Sequence, residues 1–221
     1  MEQDQFDCAR GLSSAEVSDA LDYFGLPGSA PGLMPVAGPR RLFGPAFTVR
    51  FGPVDSAQPG TVGDYLDDIP AGSVAVLDNA GRPDCTVWGG IMSQLAAHRA
   101  VAGTVVHGVC RDTDEADTAG YALFALGRFM RTGKDRVQVD AVGEAVTVAG
   151  VRVSPGDIVV ADQDGVVFVP AGRAAQVFER ARAMQAVELR IVAAALDGMP
   201  LAEARREFGY HTLQRQPASD L

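Results

Sequence analysis

Long apolar runs are missing from this sequence: none approaches the roughly 18–20 residues that a membrane span requires. The start, MEQDQFDCARGLSSAEVSDAL, is acidic and polar with no apolar h-region, so no secretory signal is expected. Runs of lysine and arginine are missing too. With a formal net charge of −9 there is no basic composition to neutralise phosphates, and no nucleic-acid partner is expected. Cysteine is scarce and odd in number: Cys8, Cys85 and Cys110 lie far apart and form no CxxC pair. That usage fits a reduced, cytoplasmic protein with mostly structural thiols. The histidines, His98, His107 and His211, are equally dispersed, which argues against a zinc site of the nitrogen–sulfur kind. Repeats are absent, and no linker is long enough to divide the chain.

What is present is an ordinary globular composition, 47% hydrophobic and 21% charged over 221 residues, enough for one domain with a real core. Ser13 and Glu16 in SSAE form a capping box. A helix of about ten residues is expected to follow, stopped near Gly25 and Pro27. The stretch LPGSAPGLMPVAGPRRLFGP predicts an extended connector, and AFTVRFG alternates like a strand. TVGDYLDDIPAGSVAVLDNAG predicts a short helix, a turn at Pro70–Gly72 and a buried strand over Val74–Leu77. GGIMSQLAAHRAVAG has helical spacing through Ile91, Leu95 and His98 or Arg99, closed by Gly103, and TVVHGV is a second buried strand. RVQVDAV, AVTVAG, VRVSPGD, IVVADQDG and VVFVP follow as strands between tight turns. Beyond Pro170 a long amphipathic helix is expected, broken at Gly198–Pro200 and followed by LAEARREFG. The sum is a single α/β domain over 1–221, with an N-terminal helix (13–24), a core (42–170) and C-terminal helices (171–209).

Two short segments are candidates for chemistry. In WGGIMSQLAAH, Gly89 and Gly90 stand before a helix. Paired glycines let an anion approach a backbone whose N–H groups point at it, although a tight strand-to-helix turn uses glycine equally well. In VVHGVCRDTDEAD, a strand ending at Val109–Cys110 would deliver Arg111 and Asp112 to the rim of the sheet, a usual place for ligands. Arg111 has the planar fork that grips a carboxylate at two points. Asp112 is a hard oxygen ligand suited to Mg²⁺ or Mn²⁺, and Glu115 is placed to hold metal-bound waters. A surface salt bridge followed by solvated acids is the ordinary alternative.

Together the segments have the pattern G-x20-R-D-x2-E/D, running from Gly90 through Arg111 and Asp112 to Glu115. This pattern resembles that of the RraA-like family, which includes class II pyruvate aldolases acting on 4-hydroxy-4-methyl-2-oxoglutarate and 4-carboxy-4-hydroxy-2-oxoadipate. DYLDDIPAGSVAVLDNAGRPDCTVWGG, GTVVHGVCRDTDE, RFMRTGKDRV and VSPGDIVVADQDGVVFVP resemble segments of the same family, so the likeness spans residues 42–170.

The resemblance implies a layered α/β/α domain, similar to phosphohistidine swivelling domains, assembled as a homotrimer or a hexamer with sites between subunits. It implies a divalent-metal lyase acting on a 2-oxo acid, as an aldolase or an oxaloacetate-type decarboxylase. On this reading Asp112 ligates Mg²⁺ or Mn²⁺ directly and Glu115 through water, while Arg111 binds the carboxylate or keto oxygen of a pyruvyl group. The N–H groups of Ile91, Met92 and Ser93, next to Gly90, receive the substrate carboxylate. The ion stabilises the enolate formed as the carbon–carbon bond breaks.

One position departs from the family. Members with well-supported aldolase activity tend to carry Asp where this sequence has Gly90, and glycine does no acid–base work. Decarboxylation of oxaloacetate needs no such base. His107, upstream of Arg111 on the same strand, is a candidate substitute, weighed against a strand histidine facing the core. Glu188 is either an acid for a neighbouring subunit's site or a solvated helix residue. Arg131–Asp135 (RTGKD) is either an anion-binding or closing loop, or a polar turn. Two other functions compete: a non-catalytic regulator of an RNA-degrading enzyme, as the family's namesake is, and a hydratase or isomerase using the same metal site.

Overall fold

Ser13 caps the first helix, α1 (Ser14–Tyr23), as its sequence predicts. The Ser13 hydroxyl accepts from the Glu16 amide at 3.2 Å, and the Glu16 carboxylate accepts from the Ser13 amide at 2.7 Å. The structure, a computed structural model, describes Ala9 and residues 11–215; Cys8 lies outside the described residues. These form two compact units, Ser29–Ala171 and the segments that precede and follow it.

The Ser29–Ala171 unit is built on a nine-stranded mixed sheet. Its strands are β1 (Ser29–Ala30), β2 (Met34–Ala37), β3 (Leu42–Pro53), β4 (Val74–Thr86), β5 (Gly103–Cys110), β6 (Leu123–Arg128), β7 (Val137–Val142), β10 (Ile158–Asp162) and β11 (Gly165–Val169). A separate hairpin joins β8 (Val146–Val148) to β9 (Val151–Val153). The order across the sheet is β1-β11-β10-β3-β4-β5-β6-β2, with β7 added to β3. The central β3, β4, β5 and β6 run parallel. Strands covered on both faces read as continuous apolar runs rather than as alternation, and here successive residues enter opposite cores. Val74, Val76, Val105 and Phe124 pack in one cluster with the β8–β9 valines. Ala75, Leu77, Val106 and Leu123 pack in the other with Trp88 and Tyr121.

The structure departs from the sequence reading in several places, among them β6, for which no strand was expected. The strand expected to end at Leu77 continues to Thr86 as β4. Its pairing with β5 shifts register at Asp78/Arg82 and again at Arg82/Thr86, and Ala80 and Gly81 have φ of +52° and +68°. Those bulges hide the strand from any period-two pattern. The extended connector holds the short strands β1 and β2; Pro35 is tolerated because β2 is an edge strand. Helix α2 (Gly90–His98) is not closed by Gly103: it ends at His98, Ala100 turns left-handed (φ +57°), and Gly103 opens β5. Glycine is needed there, since a Cβ would lie 2.5 Å from Leu42 Cδ1 and 2.8 Å from the Ala122 carbonyl oxygen. Finally, the acids after Arg111 form a helix, α3 (Thr113–Thr118), for which the sequence reading offered no element.

The other unit combines α1 with α4 (Ala174–Leu196) and α5 (Leu201–Glu207). Val17, Ala20 and Leu21 of α1 are buried, as are Val177, Phe178, Ala181 and Met184 of α4. Gln185 donates to Glu16 at 2.7 Å, and the Arg180 guanidinium lies 4.0 Å over the Tyr23 ring. No helix among the described residues is long and apolar enough to cross a membrane.

Candidate active site

Trp88 anchors the turn between β4 and α2. Its ring is buried and stacked on Tyr121 with centroids 5.9 Å apart, and its indole N–H donates to Ser93 Oγ at 3.0 Å. Thr86 grips the same residue from behind: its hydroxyl donates to the Trp88 carbonyl at 2.8 Å and accepts from the Trp88 amide at 3.2 Å. The Trp88 carbonyl also accepts from the Arg111 amide at 3.1 Å. Two segments 23 positions apart are therefore tied together at the ends of two neighbouring parallel strands.

Asp112 occupies the junction. It is the N-cap position of α3, with left-handed backbone (φ +55°, ψ +47°), yet its side chain makes no capping bond to its own helix. The carboxylate turns instead to α2, where Oδ2 accepts from the Gly90 amide at 3.0 Å. Arg111 Nε stands 3.3 Å from the same oxygen. The left-handed conformation costs roughly 1–2 kcal/mol and a forgone N-cap roughly 1 kcal/mol, so this placement opposes the local preference of the chain. Proximity of a carboxylate to a helix N-terminus offsets about 0.3–1 kcal/mol.

The two glycines are what make this approach possible, and the reason is space. Gly89 is extended (φ −152°) and Gly90 is the first residue of α2, so neither needs glycine's conformational freedom. A Cβ on Gly89 would lie 2.7 Å from Asp112 Oδ2 and 3.2 Å from Arg111 Nε. A Cβ on Gly90 would lie 3.2 Å from Asp112 Cβ and 3.2 Å from Glu115 Cγ. Gly89, Gly90, Arg111, Asp112 and Glu115 are thus brought into one cluster. The anion admitted by the glycines in this structure is the protein's own Asp112.

The cradle is narrower than the sequence suggested. Of the amides at the start of α2, that of Gly90 is used by Asp112, and that of Ser93 donates to the Gly89 carbonyl at 3.0 Å. The Ser93 hydroxyl is engaged with Trp88 and Gly89. Ser93 is therefore a buried structural residue here, and Ile91 and Met92 are the first-turn amides left over.

The donor set suits one kind of metal site. No cluster of three or more His, Cys, Asp or Glu residues that could hold an ion occurs among the described residues. Mg²⁺ and Mn²⁺ often take one or two protein carboxylates and complete their shell with water and substrate. Asp112, with its side chain 39% exposed and Oδ1 without a protein partner among the described residues, fits as the direct ligand. Glu115, exposed beside Gly90, fits as a holder of water.

The remaining candidates lie elsewhere. His107 on β5 is paired with Asp78 on β4: Nδ1 and Oδ1 are 3.1 Å apart, and no hydrogen bond or ion pair joins it to Arg111 or Asp112 among the described residues. Burial works to raise the Asp78 pKa, but hydrogen bonds from His107 and from the amides of Ala80 and Thr147 outweigh it and hold the carboxyl below its ordinary value. Glu188 lies on α4, where partial burial and then the nearby Asp19 and Glu16 push its pKa up. Cys110, just before Arg111, is buried, and desolvation pushes its thiol up to about 12, so it is not a poised nucleophile. The sequence reading had missed Thr86, Trp88 and Tyr121, whose apolar or ordinary character carries no local sign of a role in the turn.

Comparison with known proteins shows the family. The model of the RraA-like family, Aldolase/RraA, matches residues 14–168, and the chain belongs to that family. A solved structure of a Pseudomonas syringae pv. tomato protein superposes with a TM-score of 0.85 at 41% identity, covering 93% of this chain and 98% of that one. Protein DlpA of Legionella pneumophila is 36% identical over 202 residues, 90% of this chain but 32% of DlpA, so the chain spans about a third of that relative. A Burkholderia mallei protein, provisionally named a 4-hydroxy-4-methyl-2-oxoglutarate aldolase, is 35% identical over 136 residues, 62% of this chain and 79% of that protein.

Proposed function

We propose that this protein is a divalent-metal-dependent lyase acting on a 2-oxo acid, as an oxaloacetate decarboxylase and, less efficiently, a 4-hydroxy-4-methyl-2-oxoglutarate aldolase. The observation that carries the reading is Asp112, held left-handed with its carboxylate turned away from its own helix toward the Gly89–Gly90 turn and Arg111. Strained residues of this kind occur at functional sites, where the surrounding structure outweighs the local cost.

In this reading Arg111 grips the carboxylate of the pyruvyl group, and the amides of Ile91 and Met92 orient it at the positive end of α2. Asp112 holds Mg²⁺ or Mn²⁺ directly, and Glu115 holds its waters. The bound ion supplies positive charge that polarises the keto group. Gly90 has no group to accept a proton. Retro-aldol cleavage must remove a hydroxyl proton, whereas loss of carbon dioxide from oxaloacetate needs none, so the site favours decarboxylation. The exposed Ile91 and Leu95 beside the site are the side chains that a neighbouring subunit would cover in a trimer or hexamer.

The test is oxaloacetate decay followed with added Mg²⁺ and with excess chelator. Stimulation by the ion and its loss on chelation are expected. An identical rate in both, equal to that of ion and buffer alone, would remove the lyase reading.

A further inference from the structure

The segment Arg128–Arg136 takes no part in the site described above, yet it crosses the strand ends that build that site. The Phe129 amide donates to the Cys110 carbonyl at 2.9 Å, one residue before Arg111. The Thr86 amide donates to the Arg131 carbonyl at 2.9 Å, and Thr86 and Thr132 form a parallel bridge. Gly133 lies so close that a Cβ there would be 2.6 Å from the Thr86 carbonyl oxygen. The segment is therefore pinned to Thr86, which holds Trp88, and to Cys110, which leads into Arg111.

Its charge is out of keeping with the chain. Arg128, Arg131, Lys134 and Arg136 stand against one acid, Asp135, in a protein of net charge −9. Two of the four are used locally: Arg128 donates to the Val36 carbonyl, and Arg136 to the carbonyls of Thr132 and Lys134. The other two differ. Arg131 and Lys134 are exposed, and neither is within ion-pair distance of a carboxylate among the described residues. The Arg131 guanidinium rests 5.7 Å over the Phe129 ring. Arg131 interacts with Asp84 only beyond ion-pair distance. Cations without a close ion pair, carried on a backbone pinned beside a site, attract and orient anions there, and more strongly where the rest of the surface is acidic.

We propose that Arg131 and Lys134 are specificity-determining residues that hold the anionic group of the substrate distal to its pyruvyl end. Arg111 and the α2 amides then hold one carboxylate, and the strap holds the second. This inference rests on the reading of the site as one for 2-oxo acids, and the experiment separates the two.

Binding of pyruvate and of 2-oxoglutarate is measured by calorimetry with Mg²⁺, for the wild type and the double variant R131Q/K134Q. Both substitutions are at exposed positions, and unchanged thermal unfolding checks the fold. The wild type is expected to bind the dicarboxylate about tenfold or more tightly than pyruvate, as charge-assisted hydrogen bonds imply. The variant should lose that preference while its affinity for pyruvate stays the same. An equal loss for both ligands, or a preference that survives in the variant, would overturn the strap's role and leave the site reading standing. Failure of the wild type to bind pyruvate at all would overturn the site reading, and the strap's role with it.

Discussion

Gly90 and Asp112, 22 positions apart, are joined by a single hydrogen bond of 3.0 Å from the amide of one to the carboxylate of the other. That bond gathers the Gly89–Gly90 turn, Arg111 and Glu115 into one cluster. It also defines the first test. Asp112→Asn keeps an acceptor and tolerates left-handed backbone, but it removes the charge. Replacing residues that merely support metal ligands costs ~10–100-fold, so loss of a direct ligand should cost at least ~10²-fold in Mg²⁺-stimulated oxaloacetate turnover. Stability should change by less than ~1 kcal/mol, since the side chain is partly exposed. Turnover against Mg²⁺ concentration, with urea unfolding beside it, checks both; wild-type turnover in the variant would take Asp112 out of the site.

Arg111 offers a separate test of carboxylate recognition. Arg111→Lys keeps the charge and loses the two-point grip. Oxalate inhibition should weaken by more than ~1 kcal/mol, about the scale of a charged hydrogen bond. Unchanged inhibition would assign the Arg111 side chain a structural role beside Asp112.

The two glycines should respond differently. Gly89→Ala places a Cβ 2.7 Å from Asp112 Oδ2, closer than real contacts allow, so Asp112 must move and both lyase activities should fall together. At Gly90 the nearest contacts are 3.2 Å, to Asp112 Cβ and Glu115 Cγ, and the exposed Glu115 can yield. Gly90→Asp should therefore fold and supply the missing acid. Aldolase activity should rise relative to decarboxylase activity, by up to the ~10²–10⁴-fold that a general base contributes. No relative gain in a folded variant would place the natural substrate outside the aldolase class.

The Asp78–His107 pair predicts an effect on stability. Hydrogen bonds hold the Asp78 pKa below its ordinary 3.8, against the opposing effect of burial. A carboxyl depressed in the folded state stabilises above its unfolded pKa and loses that contribution as pH falls through the folded value. Asp78→Asn should cost ~1–2 kcal/mol near pH 7, and the gap to wild type should narrow below about pH 4. Urea midpoints at pH 7 and pH 3 measure the difference. A gap that stays constant would show that the loss is one of packing.

Several parts of the site were legible as residues without being legible as geometry. The capping box at Ser13 and Glu16 appeared as expected because all of its bonds are local. The strand end at Cys110 also appeared, since a run of β-branched residues stops there. Asp112 was legible as a candidate, but its left-handed backbone and its turn toward α2 were not, because an aspartate before a helix ordinarily caps that helix. Ser93 looked like part of an anion cradle, and burial against Trp88 gave it other partners. His107 looked like a candidate base near Arg111; that its Nδ1 pairs with Asp78 on the neighbouring strand was not legible.

By itself the sequence determined the α/β class, the buried strands at residues 74–77 and 104–109, and the identity of the clustered residues, Gly89, Gly90, Arg111, Asp112 and Glu115. Side-chain period, β-branching and capping act over a few residues, so they leave a local trace. Tertiary structure alone decided which amides stayed open, which acid met His107, and that the Arg128–Arg136 segment crosses the ends of β4 and β5. Those outcomes depend on strand register and on the bulges at Asp78/Arg82 and Arg82/Thr86, which join residues 22 to 46 positions apart. Once register is set, a one-residue slip would turn every side chain to the opposite face, and it is the packing of both cores that forbids the slip.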